Sequence, residues 1–111
     1  MELYNYQAKV LSVYDGDTIR CDIDLGFSMI LSNQAIRLYG IDTPEVRGEE
    51  REEGLKVRDV VRDLILNKNV ILQTIKDTKG KYGRWLGKVY LDDLCVNDFL
   101  IENGYAKPYL K

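Results

Sequence analysis

Apolar and polar residues alternate with a period of two over the first forty positions. The period then switches to a helical one and returns to two further on. Gln7 to Tyr14 alternates as a strand, with Val10 on one face and Leu11 and Val13 near it. Asp15-Gly16 is a tight-turn signal. From Thr18 to Leu25 the alternation is clean. Ile19, Cys21, Ile23 and Leu25 face one way, and Thr18, Arg20, Asp22 and Asp24 the other. These runs predict a hairpin with Asp17 just beyond its turn, broken at Gly26. Met29 to Ile41 reads as a third strand, bent or interrupted around Ser32-Asn33.

Gly48 to Gly54 is polar and reads as a loop or the frayed start of a helix. From Leu55 the spacing is helical, and Val57, Val60, Val61, Leu64 and Ile65 make one apolar stripe. Asn67 and Asn69 suit the exit of that helix. Val70 to Ile75 is a fourth strand, Asp77 to Gly83 a Lys/Gly turn, and Trp85 to Leu91 a fifth strand. Asp92-Asp93 turns the chain. Asn97 is placed to cap a short helix through Glu102, closed by Gly104. Five largely antiparallel strands must hide their edges, and closure is the usual way to do so. The predicted fold is therefore mainly β with α. It is a five-stranded OB-type barrel with one longer helix between strands three and four and a short C-terminal helix. The chain reads as a single domain over residues 1–111.

One stretch, Ile36 to Glu45, departs from this regular pattern. Arg37 lies between apolar Ile36 and Leu38 and so points to the opposite face. Pro44 has no backbone donor and ends the strand, and it pushes Thr43 into an extended conformation. Asp42 and Glu45 thus sit at a rigid strand exit near an arginine. Two carboxylates and a guanidinium there suggest an active site; a salt-bridged strand end is the other reading.

Composition narrows the chemistry. At 111 residues, 45% hydrophobic and 31% charged, the chain fits one small globular domain with one core. No apolar run reaches the length of a membrane span. Met1 to Asn5 has neither a basic region nor an apolar core, so no signal peptide is read. The expected location is cytoplasmic, or secreted if a leader has been removed. There are 0 histidines, which excludes Ser-His-Asp and Cys-His machinery, histidine metal sites and a histidine base. Cys21 and Cys95 have no metal-ligand spacing and read as buried small hydrophobes in a reducing compartment. The net charge of -2 does not point to nucleic acid. Its distribution is uneven, with Glu49, Glu50, Glu52 and Glu53 in one cluster and Lys76, Lys79, Lys81, Arg84 and Lys88 in another. A local basic stripe attracts phosphate, although either cluster alone also reads as a solvated face.

Two apparent motifs fail. Gly83 to Val89 is one residue short of a P-loop and lacks the final Ser/Thr. Asp22-Ile23-Asp24 does not begin an EF-hand, because Asn33 stands where that loop needs Glu. Three elements remain: Asp15-Gly16-Asp17-Thr18, Arg37 through Glu45, and Lys81-Tyr82-Gly83-Arg84. In this order and on this strand pattern they resemble the staphylococcal nuclease (thermonuclease) family. Val96 to Gly104 looks like the last short helix of that family. The resemblance implies an OB-fold barrel that cleaves DNA and RNA phosphodiesters with one calcium ion, other divalent ions being possible. It makes Asp17 and Asp42 calcium ligands, with the carbonyl of Thr43. Glu45 becomes the general base, and Arg37 and Arg84 the phosphate clamps. Cleavage of the bond to the 5′ oxygen, leaving 3′-phosphate ends, is also implied. Lys81 becomes a phosphate contact and Tyr82 a base- or sugar-contacting aromatic.

The chemistry agrees with these roles. Calcium takes oxygen ligands, and two carboxylates and a carbonyl leave room for water and phosphate. Two guanidiniums can fork onto phosphate oxygens, and Glu45 can take the proton that no histidine is present to take. Each residue also has a plainer reading: Asp17 as a turn residue, Asp42 as Arg37's ion-pair partner, Glu45 as a helix-entry acid, Arg84 as an exposed strand-start charge. Trp85 reads as core. Tyr109 is left out of the site, its register against the family's substrate tyrosines being off. The segment Val46 to Gly54 is short and acidic where secreted members carry a longer, more basic loop, which implies weaker substrate affinity or a preference for shorter ends. The chain stops at Lys111, before a third helix that many members pack against the barrel. A monomer or weak homo-oligomer is expected, with marginal stability if apolar surface is left uncovered. The runner-up function is a non-catalytic nucleic-acid-binding module of the same fold. A more distant one is an interaction domain using Glu49 to Glu53.

Overall fold

A computed structural model describes residues 3–79 and 83–109, with side chains for all but 3 and 75–79. Its strands are β1 (Leu3–Asp15), β2 (Thr18–Gly26), β3 (Met29–Leu38), β4 (Ile41–Asp42), β5 (Asn69–Lys79), β6 (Trp85–Leu91), β7 (Leu94–Cys95) and β8 (Lys107–Pro108). A 3-10 turn (Gly48–Glu50) leads into α1 (Arg51–Ile65), and α2 (Val96–Glu102) follows β7. The sheet order is β3-β2-β1-β5-β6 with antiparallel neighbours, and β3 also pairs with β6. That last pairing is parallel, with Ile36, Arg37 and Leu38 opposite Trp85, Leu86 and Gly87. It closes a five-stranded barrel and leaves the edges of β3 and β6 satisfied where they meet.

The core sits inside this barrel and under α1. Val10, Ile19, Cys21, Ile36, Leu38, Leu72 and Val89 are fully buried from the strands, and Val61 and Ile65 from the helix. Val57 joins them, and Val60 and Leu64 pack against the cluster half-buried, so the predicted stripe is the face that α1 buries. α1 ends at Ile65, and Asn67, two residues on, takes a positive φ of 63° as the residues of a helix exit do. Its N–H then donates to Val10 O on β1.

Four expectations need correction. Leu25 does not join Ile23 in the core but is 40% exposed, because the β2–β3 hairpin runs on past the barrel. The third strand ends at Leu38 rather than Ile41: Gly40 turns the chain at φ 80°, and Ile41-Asp42 pairs with β8 instead. Asn97 does not cap α2. It lies inside the helix, where its Nδ2 donates to Tyr39 O and Gly87 O and its Oδ1 accepts the Val89 N–H. Cys95 is half-buried, whereas Cys21 is fully buried and burial pushes its thiol up to about 12. The bend at Ser32-Asn33 is present: two residues there oppose Asp22, and Asn33 has φ 52°. β5 runs to Lys79, so the expected turn is shorter at its front, and residues 80–82 lie outside the described ones. Among the described residues, no helix is long and apolar enough to cross a membrane.

Candidate active site

The turn joining β1 to β2, the exit of β3 and the start of β6 meet at one end of the barrel. Strand pairing sets this up, since Asp15 lies opposite Thr18, Thr18 opposite Arg37, and Arg37 opposite Leu86. Asp17 follows the turn and is buried at 6% exposure. Its main chain is pinned on both sides: the Asp17 N–H donates to Asp15 Oδ1 at 3.1 Å, and Asp17 O accepts the Leu38 N–H at 2.8 Å. Its carboxylate accepts the Thr18 hydroxyl at 3.3 Å on Oδ1 and the Thr43 N–H at 3.1 Å on Oδ2.

Arg37 reaches both acids. Its Nη2 lies 3.4 Å from Asp17 Oδ2 and 3.7 Å from Asp42 Oδ1, while Nη1 donates to Leu38 O at 2.8 Å. Arg84 enters from β6 and donates to the Thr18 hydroxyl at 3.1 Å. Both guanidiniums, both carboxylates and Glu45 line one open cleft of about 890 Å³. Asp15 lines it too, its carboxyl raised to about 7 chiefly by burial, then by the hydrogen bond and negative charge of Asp17.

Two glycines let the segments that carry the cleft residues pack closely on α1. A Cβ on Gly16 would stand 2.5 Å from Val57 Cγ1 and 2.9 Å from Thr43, so only glycine lets the Asp17 turn press against α1. A Cβ on Gly54 would stand within 2.8 Å of Val46 N and closer still to the carbonyl of Glu45. The first turn of α1 is thereby the surface on which the Glu45 main chain rests. The Glu45 N–H donates to Glu50 Oε1 at 3.3 Å, and its own side chain is exposed.

The family model described as staphylococcal nuclease homologue matches residues 35–111. The chain belongs to the staphylococcal nuclease family. The thermonuclease of Staphylococcus hyicus is 33% identical over 102 residues, covering 89% of this chain and 57% of its own length. The thermonuclease of Staphylococcus intermedius is also 33% identical, over 88% of this chain and 56% of its own. An uncharacterised protein of Methanocaldococcus jannaschii is 27% identical over 96% of this chain and 60% of its own. The chain thus spans a little over half the length of these relatives. The family match contains Arg37, Asp42, Glu45 and Arg84, while Asp17 precedes it.

Within this staphylococcal nuclease barrel the structure gathers Asp17, Arg37, Asp42, Thr43, Glu45 and Arg84 around one cleft. Lys81 and Tyr82, the expected substrate contacts, lie outside the described residues. Trp85 is half-buried against the core and donates from Nε1 to Gln34 Oε1, as its core reading expects. Tyr109, left out of the site on its register in the sequence, lines the cleft. The pairing of β8 with β4 and a bond from Tyr109 N to Gly40 O bring its ring to 5.9 Å from Arg37 Cζ. Arg47 lines the cleft as well. Neither had a signal in local pattern, since each arrives through a tertiary contact.

The donors suit a hard cation. Asp17 and Asp42 converge on a single cationic nitrogen, that of Arg37, and both offer carboxylate oxygens. The Thr43 hydroxyl beside them is buried and has no hydrogen-bond partner among the described residues. No group of three or more Cys, Asp or Glu gathers at metal-ligand geometry among the described residues. Four carboxylates and three guanidiniums line the cleft, and one dication would turn its charge positive, as a phosphodiester requires.

Proposed function

We propose that this chain is a divalent-cation-dependent nuclease, with calcium the expected ion, that hydrolyses phosphodiester bonds of DNA, RNA or both. The observation that carries the reading is the convergence of Asp17 and Asp42 on one cationic point, with Arg84 and Glu45 in the same cleft. The thermonuclease names of two relatives support it. Asp17 and Asp42 would hold the ion, with the Thr43 carbonyl. Once bound, a divalent ion neutralises phosphate charge and orients water. Arg37 and Arg84 fork onto the phosphate oxygens as charge builds there. Glu45, exposed and fixed at its main chain by α1, accepts the proton of the attacking water. Tyr109, stacked near Arg37, offers a ring face to a neighbouring base, the role also proposed for Tyr82, with Lys81 on phosphate. With Asp17 and Asp42 given over to an ion, Arg37 would be free of its present ion pairs and available to phosphate.

A non-catalytic binding module is the rival, because Arg37 already satisfies both acids in an ion pair. A gel assay of the parent and Glu45→Gln on DNA and RNA, with and without calcium, separates the two. The parent should cleave with calcium only. Glutamine keeps the size of Glu45 but cannot take the proton, so Glu45→Gln should bind single-stranded DNA like the parent and cleave about 10²–10⁴-fold more slowly. Binding without cleavage under any divalent ion would establish the module instead.

A further inference from the structure

The end of β1 carries an extra residue. Val13 pairs with Ile19 and Asp15 with Thr18, so Tyr14 has no opposite number on β2. That is a bulge. Tyr14 lies between buried Val13 and Asp15 and turns outward, 57% exposed, where it joins the wall of the cleft. A tyrosine that stands in water beside two arginines and a carboxylate cluster leaves a large apolar face unburied. Nothing in the core requires it.

Its place relative to the other cleft tyrosine follows from the sheet. Asp15, Thr18 and Arg37 form one row across β1, β2 and β3. Two strand spacings therefore separate the β1 end from Arg37, about 10 Å. The Tyr109 ring lies 5.9 Å from Arg37 Cζ, at the guanidinium end of that side chain. Stacked aromatic rings sit about 4.5–7 Å apart, less than those two strand spacings, which leaves room for a separate base at each tyrosine. A strand whose phosphate meets Arg37 and Arg84 has a nucleotide to either side, and each side has a ring.

We propose that Tyr14 is a base-stacking subsite of its own, holding the base on the β1 side of the reacting phosphate while Tyr109 serves the opposite side. The inference rests on the nuclease reading above and adds a nucleotide to the length of strand that the site grips. Its ligand is an unstacked base of single-stranded DNA or RNA, of any identity, because every base offers a π face. Duplex bases, stacked on one another, do not present that face.

The test compares the parent, Tyr14→Ala and Tyr14→Phe on single-stranded oligonucleotides with calcium. One set carries a single abasic nucleotide moved stepwise past the cleavage point. Stacking is worth about 1–3 kcal/mol per base, which is about 5–150-fold. Tyr14→Ala should raise KM by that factor with kcat unchanged, and Tyr14→Phe should match the parent. In the parent, an abasic nucleotide at one flanking position should raise KM equally, and that position should become silent in Tyr14→Ala. Tyr14→Ala with the parent's KM, no abasic position that distinguishes the two proteins, or a Phe variant as poor as Ala would each overturn the subsite while leaving the nuclease reading intact. A parent that neither binds nor cleaves would remove the nuclease reading and the subsite with it.

Discussion

Asp15 is held near neutrality by its surroundings, and this makes a residue-scale prediction. Burial, with Asp17 next to it, raises its pKa from 3.8 to about 7. A carboxyl whose folded pKa is raised favours the folded state most below its unfolded pKa. That contribution drains away as pH climbs from about 4 and is gone above about 7. Asp15→Asn, whose side-chain oxygen still accepts the Asp17 N–H, does not ionise. In metal-free buffer it should melt with the parent at pH 4 and clearly above it at pH 8. Equal melting temperatures at both values would show that Asp15 ionises in the folded protein as freely as in water. Nothing in the local pattern Asp15-Gly16-Asp17 announces this shift, because it comes from the distance between two side chains and from what covers them.

Among the elements, α1 does more than bury a stripe. Its first turn carries Gly54 against the Glu45 carbonyl, a contact that no side chain fits between. In an ordinary helix Gly→Ala gains about 1 kcal/mol from propensity. Here the sign reverses. Gly54→Ala should cost about 1–3 kcal/mol through overpacking, read by chemical denaturation. It should also lower kcat, because relief of the clash moves Glu45. A stabilised Gly54→Ala would mean that the helix and the strand exit do not touch. The apolar stripe of α1 was legible from spacing. The meaning of Gly54 was not, since a glycine near a helix start reads only as a weak point until its neighbour is known.

For the whole molecule, the cleft exists because three separated segments are brought together by barrel closure. An ion that binds only the closed arrangement stabilises it by mass action. Calcium at about a hundredfold over its Kd should add about 2.7 kcal/mol, a rise of about 10 °C in Tm for a domain of this size. Asp42→Asn should abolish that rise and should show no calcium heat by isothermal titration. Undiminished affinity in the variant would put the ion elsewhere. Asn97 belongs to the same scale: one buried side chain ties α2 to the Tyr39 turn and to β6.

By itself the sequence determined the order of the five long strands and the two helices, the buried face of α1 and that of β2 as far as Ile23, and the segment in which Arg37, Asp42, Thr43 and Glu45 stand. These are properties of periodicity and of proline, which act over a few neighbouring residues. The bend at Ser32-Asn33 and the helix exit at Asn67 were legible for the same reason. Only the tertiary structure decided how far β3 runs, because the turn at Gly40 goes with the pairing of Ile41 with Pro108 and of Asp42 with Lys107, partners far apart in the sequence. Likewise, Asn97 looked like a cap because capping is local chemistry, yet it is spent on carbonyls of two distant segments. Tyr109 and Tyr14 face the cleft for a related reason. Strand pairing brings their segments to the same end of the barrel, and register is a relation between strands that no single stretch of residues contains.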